Sequence, residues 1–285
     1  MNERKMKVAK KKDVSQAITK VSPEFELPEF LQGEVQGLER LKEFVVPPYI
    51  KIVQKQASDE LLTHFGTGDV ILSPANAVIC EMPRNNKGRP LEDAHTSFKI
   101  VPIFFYPEWL TWNPVELKGT EPAIRYRTVD PNDPVVAKAR SSKLRQEPHP
   151  DKPELKIRHV EHLNFLVCLY EHSLGGDAAV LSFSRGEWSS GSKFANLIKM
   201  RKASLFGCVF EAVLGHRIND KGDWYGFDMC NPSDCSPWVT EEEYKVFEAL
   251  HKEFEKLHAD AKLQAAYDTE PADIDPASTK ASTEF

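Results

Sequence analysis

Phe98–Trp112 is the most apolar and aromatic stretch of the chain, and a fold that holds this chain has to bury most of it. It contains Phe98, Ile100, Val101, Ile103, Phe104, Phe105, Tyr106, Trp109 and Trp112. Such a run reads as a strand facing a core. The segment after it, 113–158, is its opposite, with seven prolines and many charges. It reads as a long insertion loop, partly disordered. The chain has 20 prolines and 14 glycines in 285 residues, a punctuation that suits short strands and loops better than a helical bundle. A hydrophobic content of 41% is enough for a packed core in one large or two modest domains.

Further strands bracket that run. Val46-Pro-Pro-Tyr-Ile-Lys-Ile-Val-Gln54 alternates after its prolines, as a strand entered from a rigid turn does. Leu61, Leu62 and Phe65 make a short helical turn, and Gly66–Asp69 a tight one. Val70–Leu72, Ala77–Cys80, Glu161–Tyr170, Ala178–Ser184 and Phe206–Leu214 read as strands, and Trp224–Met229 pairs back as a hairpin. Gly191–Arg201 reads as a helix. The clearest element is the last. Thr240 and Glu243 form a capping box, with Glu241 and Glu242 complementing the helix dipole. Tyr244, Phe247, Leu250, Phe254, Leu257 and Ala261 follow at spacings of three and four, an amphipathic stripe that packs on the body or seams a homo-oligomer.

The expected architecture is α+β, mainly β with flanking helices. It is an OB-like, partly open barrel with a long insertion loop and a C-terminal amphipathic helix. Residues 1–44 form a basic flexible arm, with a short amphipathic piece at 33–44. Residues 45–238 form the core, 239–267 the helix and 268–285 an acidic disordered tail ending in Phe285. The five cysteines are odd in number and mostly set in apolar strings, which reads as reduced thiols in a cytosolic compartment. With no run of 18 apolar residues and no apolar segment behind the N-terminal lysines, neither a membrane span nor a secretory signal is expected.

Single strands are held by a basic groove that tracks phosphates and by aromatic rings that stack on bases. Arg185, Trp188, Lys193, Lys199, Arg201 and Lys202 combine both chemistries just after a strand. The bland alternative is a strand and a solvated helix with Trp188 as a rim plug. Trp109 and Trp112 are a second pair of stacking candidates, or else core. The basic run Lys138, Arg140, Lys143 and Arg145 lies in the insertion. Cys230 and Cys235 lack the partner ligands of a zinc site, and His159 and His162 read as strand borders rather than metal ligands. Glu116-Leu-Lys118 and Glu154-Leu-Lys156 are fragments of a nuclease pattern placed in a Pro-rich loop. No phosphate-binding loop, nucleophile elbow or dinucleotide fingerprint occurs. No catalytic residue, metal or cofactor is expected.

Several motifs stand in an order that resembles phage single-stranded DNA-binding proteins. They are Val46–Gln54, Gly68-Asp-Val70, Val101-Pro-Ile-Phe-Phe-Tyr-Pro-Glu-Trp109, Leu181-Ser-Phe-Ser-Arg-Gly-Glu-Trp188 followed by Lys193, and the hairpin Phe206–Phe227. The resemblance covers roughly 45–230, with the acidic, Phe-ended tail as a separate shared feature. It implies an OB-like core, sequence-independent protection of single-stranded DNA in replication or recombination, no enzyme activity, and a host-cytoplasmic location. Replication or recombination partners would be recruited through Phe285. A phage structural or protein-interaction protein is the alternative, and a metal-dependent nuclease a third.

Overall fold

The computed structural model describes residues 47–86, 88, 90–91, 96–141, 146–173, 178–219, 222–260 and 263. All belong to the unit Val45–Phe285. The expected arm, the amphipathic piece at 33–44, Lys143, Arg145 and the tail with Phe285 lie outside the described residues.

Two long strands form the spine. β4 (Ser97–Trp112) and β7 (Lys156–Tyr170) pair antiparallel along almost their whole length. Three short strands precede them, β1 (Tyr49–Ile52), β2 (Val70–Ser73) and β3 (Ala77–Cys80). β8 (Ala178–Ser184) and the hairpin of β9 (Phe210–Asn219) and β10 (Gly222–Cys230) follow. The sheet runs β10-β9-β4-β7-β8-β1-β2-β3. Every pairing is antiparallel except β1 with β8, which meet at Tyr49 and Val180.

β4 carries two prolines, residues that cannot donate to a ladder. Its pairing with β9 ends at Ile100, and its pairing with β5 (Ile124–Thr128) begins at Trp109. Pro102 and Pro107 fall in the interval, where β4 is laddered on the β7 side only, and Pro102 also sits at a register shift. The prolines are thus placed where a missing N–H costs least.

The sheet curls. Ile50, Val70 and Ile79 from one end of the strand order share a core with Leu214, Tyr225 and Phe227 from the other. Gln54, just beyond β1, bridges the two ends. Its side-chain Nε2 donates to the carbonyl of Tyr225 (2.7 Å), and its Oε1 accepts from the Tyr225 N–H (2.9 Å). Lys55 pairs with Asp223 alongside. The strand path itself remains open, so the mainly β, α+β class holds while the ladder does not close into a barrel.

Each face has a helix. α3 (Trp188–Met200) sets Phe194 among Phe165, Phe183 and Phe210, with ring centroids 4.7, 6.3 and 5.2 Å away. α4 (Glu241–Ala259) begins at the expected capping box. Its stripe of Tyr244, Phe247, Leu250, Phe254 and Leu257 packs on Val101, Ile103, Tyr106 and Val180 of the opposite face. His251 Nδ1 donates to the Ile103 carbonyl (2.7 Å) on the open interval of β4. Of the two readings of that stripe, packing on the body is the one seen. α1 (Asp59–His64) is the short turn expected after Ser58, whose hydroxyl caps it.

The insertion corrects an expectation. Among its described residues, 113–158 is not a structureless loop. It holds a 3₁₀ turn at Val115–Leu117, β5, α2 (Pro134–Ser141) and β6 (Gln146–Pro148), which pairs with β7. Contacts distant in sequence order it. α2 lays Val136 and Ala139 on Trp109. Asp133 accepts from the Val135 N–H and from the Tyr126 hydroxyl, fixing the start of α2 ahead of a proline suited to a first helical position. Glu121 gathers Asn113, His149 and Lys152. Burial pushes its carboxyl up, but Lys152 and His149 outweigh it and hold the group below the usual range. His149 Nδ1 accepts from the Asp151 N–H, and its Nε2 lies 3.2 Å from Glu121 and 3.0 Å from the Arg125 guanidinium.

Candidate nucleic-acid interface

The strand-to-helix junction places Trp188, Lys193 and Lys199 of the expected site on one helix. β8 ends at Ser184, and a 3₁₀ turn over Arg185–Glu187 starts with Arg185 in the left-handed region, φ 46°. α3 then begins at Trp188, three residues earlier than its apolar spacing suggests. Phe194 and Gly191 form its buried side. A Cβ on Gly191 would stand 2.5 Å from Cβ of the buried Phe183, so this glycine lets the helix lie close to the sheet. Gly191→Ala should destabilise the fold by about 1–3 kcal/mol, the usual cost of overpacking a filled core. Urea denaturation would read this, and an unchanged midpoint would mean that α3 can lift away freely.

The outer side of α3 carries the chemistry. Trp188 is 37% exposed. Lys193 and Lys199 are exposed along the helix, and Lys202 is exposed beyond it in a left-handed conformation, φ 52°. Two expected members, Trp109 and Trp112, depart from this surface, while Arg185 in the 3₁₀ turn is half-buried. Arg185 lies where its charge acts on buried His162 and helps push that imidazole down. Trp109 and Trp112 are each 1% exposed, Trp109 under α2 and Trp112 with Leu110 and Val160. Their indole faces are covered by protein, which corrects the stacking reading in favour of core.

Arg201 has a different role from a free phosphate ligand. Its guanidinium carbon stands over the Phe210 ring (5.1 Å) and over the Trp238 ring (5.0 Å). It donates to Asn231 Oδ1 (2.6 Å) and to the Pro237 carbonyl (3.3 Å). Trp238 itself remains 45% exposed, and the neighbouring Met200 is 76% exposed. The sequence reading missed Trp238. Its signal was faint, because Ser236 and Pro237 precede it but Val239 follows.

A second constellation is buried on the other face of the sheet. Glu108 of β4 is 0% exposed. Its Oε2 accepts from Asn164 Nδ2 (3.0 Å), and its Oε1 lies 3.0 Å from Nε of Arg127, as a charge contact rather than an aligned hydrogen bond. Burial pushes the carboxyl up to about 7, with Arg127 and Asn164 opposing. His162, against Ser182 Oγ (3.1 Å), is pushed down to about 3 by burial and by the charges of Arg185 and Arg127. Glu161, between the two histidines of the sequence, points the other way, toward Arg140 of α2. Among the described residues no group of three His, Cys, Asp or Glu side chains is arranged to hold a metal ion. Nor is any described helix long and apolar enough to cross a membrane.

These features define an α+β protein on one curled, open sheet, with a tryptophan- and lysine-bearing helix at its surface. A family model described as Pam3 phage gp34-like protein matches residues 86–260, more than half of the chain. The chain belongs to that family and is a phage protein. No curated protein and no solved structure matches it. The match reaches the phage part of the expected resemblance and is silent on single-stranded DNA.

Proposed function

We propose that this phage protein binds single-stranded DNA without sequence readout, as a non-enzymatic accessory of replication or recombination. The observation that carries the reading is the outer side of α3. Trp188 offers an exposed indole, Lys193 and Lys199 offer exposed charge along the same helix, and Lys202 offers it just beyond the helix end. Stacking on a ring and cationic tracking of phosphates are the two terms such binding needs. The curled open sheet serves as an OB-like scaffold that fixes the helix. The acidic tail, with Phe285, is the proposed hook for partner proteins in the host cytoplasm.

The test is a titration with a fluorescent oligo(dT) at several salt concentrations. Binding should weaken linearly in log affinity against log salt. Trp188→Ala should lose about 1–3 kcal/mol while keeping the parent's fold by circular dichroism. A folded Trp188→Ala variant that binds like the parent would remove Trp188 from the site. A second reading is a phage structural or protein-interaction protein, favoured by the exposed Trp238 and Met200 beside Arg201. Tryptophan and arginine are the side chains that dominate protein interfaces. Absence of oligonucleotide binding at any salt would favour it.

A further inference from the structure

We infer that Trp238 is a second base-stacking platform and that the single strand runs along α3 from Trp188 to Trp238; this rests on the reading of the protein as a single-strand binder. One face of the Trp238 indole meets the Arg201 guanidinium (5.0 Å), which also stands 5.1 Å from the centroid of the buried Phe210 ring. Arg201 is held in turn by Asn231 and the Pro237 carbonyl. A ring fixed on one face and 45% exposed is oriented before any base arrives. Arg201 also brings positive charge against the ring.

The charge around the platform suits a polyanion. Lys199 and Lys202 are exposed on the approach from α3. The three glutamates at the start of α4 are close in sequence, but two are occupied. Glu241 pairs with Lys245 (2.8 Å), and Glu243 closes the capping box. Glu242 is the remaining acid of that turn.

Helix geometry sets the spacing. A helix of 13 residues rises about 20 Å at ~1.5 Å per residue. Trp188 starts α3, and Arg201 follows its last residue. Along the helix axis, Trp188 and the Arg201 that holds Trp238 are therefore separated by roughly the length of six stacked nucleotides at ~3.4 Å each. An oligonucleotide much shorter than this reaches one platform, and a longer one reaches both.

The experiment compares the parent, Trp238→Ala, Trp238→Phe and Trp188→Ala with dT3 and dT12, by tryptophan quenching and anisotropy. Trp238→Ala should weaken dT12 binding about five- to 100-fold. It should change dT3 binding less, and Trp238→Phe should keep most of the affinity. If Trp238→Ala fails to fold, ultraviolet crosslinking of dT12 to the parent should mark peptides containing both Trp188 and Trp238. Parental affinity of folded Trp238→Ala for dT12, or crosslinks confined to Trp188, would overturn the second platform and leave the single-strand reading standing. A parent that binds no oligonucleotide would overturn both.

Discussion

Replacing Glu108 by Gln is expected to tilt a stability profile that is nearly level in the parent between pH 4.5 and 6.5. Two buried groups oppose each other there. The folded state raises Glu108 from its ordinary 4.5 to about 7 and lowers His162 from 6.5 to about 3. Between pH 4.5 and 6.5 the native protein holds a proton on Glu108, and the unfolded chain holds one on His162. Proton uptake is equal in the two states, so stability does not change with pH on account of this pair. In Glu108→Gln only the histidine remains, and its contribution, present above pH 6.5, is lost as pH falls toward 3. Stability should therefore rise with pH by about 1.4 kcal/mol per unit, or roughly 3 kcal/mol across the window. In His162→Gln only the carboxyl remains. Its contribution is present below pH 4.5 and is lost as pH rises through 7, so the slope should reverse. Arg127, Arg185, Asn164 and Tyr106 complete the surroundings of the pair and are common to all three proteins. Urea denaturation of all three across pH 4.5–7.5 reads the slopes. Parallel profiles would show that the two groups do not titrate as their burial demands.

Phe194→Ala is expected to be the most damaging single change to the anchoring of α3 on the sheet. Phe194 is 1% exposed and meets three other phenylalanines, so truncation leaves a cavity that a close-packed sheet and helix cannot fill. The cost should be about 3–5 kcal/mol, a fall in melting temperature of roughly 10 °C for a protein of this size. Scanning calorimetry measures it. A shift of only a degree or two would mean that α3 is not anchored through this ring, and that the position of Trp188 on it is not fixed.

Local signals carried the elements whose chemistry is local. Thr240 and Glu243 specify a helix start within four residues, and the capping box is present. The short apolar run Val70–Leu72 is likewise a self-contained strand signal. The insertion was opaque because its order comes from partners far along the chain, Trp109 beneath α2 and His149 beside Glu121. Its prolines mark element starts as much as breaks, as Pro134 does for α2. The candidate site was legible in composition but not in direction. Trp109 and Trp188 are the same residue type, and only the tertiary packing separates a covered indole from an open one. Arg201 looked like a free cation because its two aromatic neighbours lie nine and 37 residues away in the chain (210 − 201 and 238 − 201).

An open sheet exposes the backbone of its outermost strands, and such a strand is a template on which another chain can pair. Gln54 bears on this hazard. Its carboxamide takes both the N–H and the carbonyl of Tyr225 in β10, the two groups that an incoming strand would need at that position. One side chain therefore acts as a one-residue substitute strand, and it does so from the same molecule. The protein can keep an unclosed sheet, with room for a helix inside its curl, while blocking that point of β10 against the edge-to-edge association that leads to aggregates.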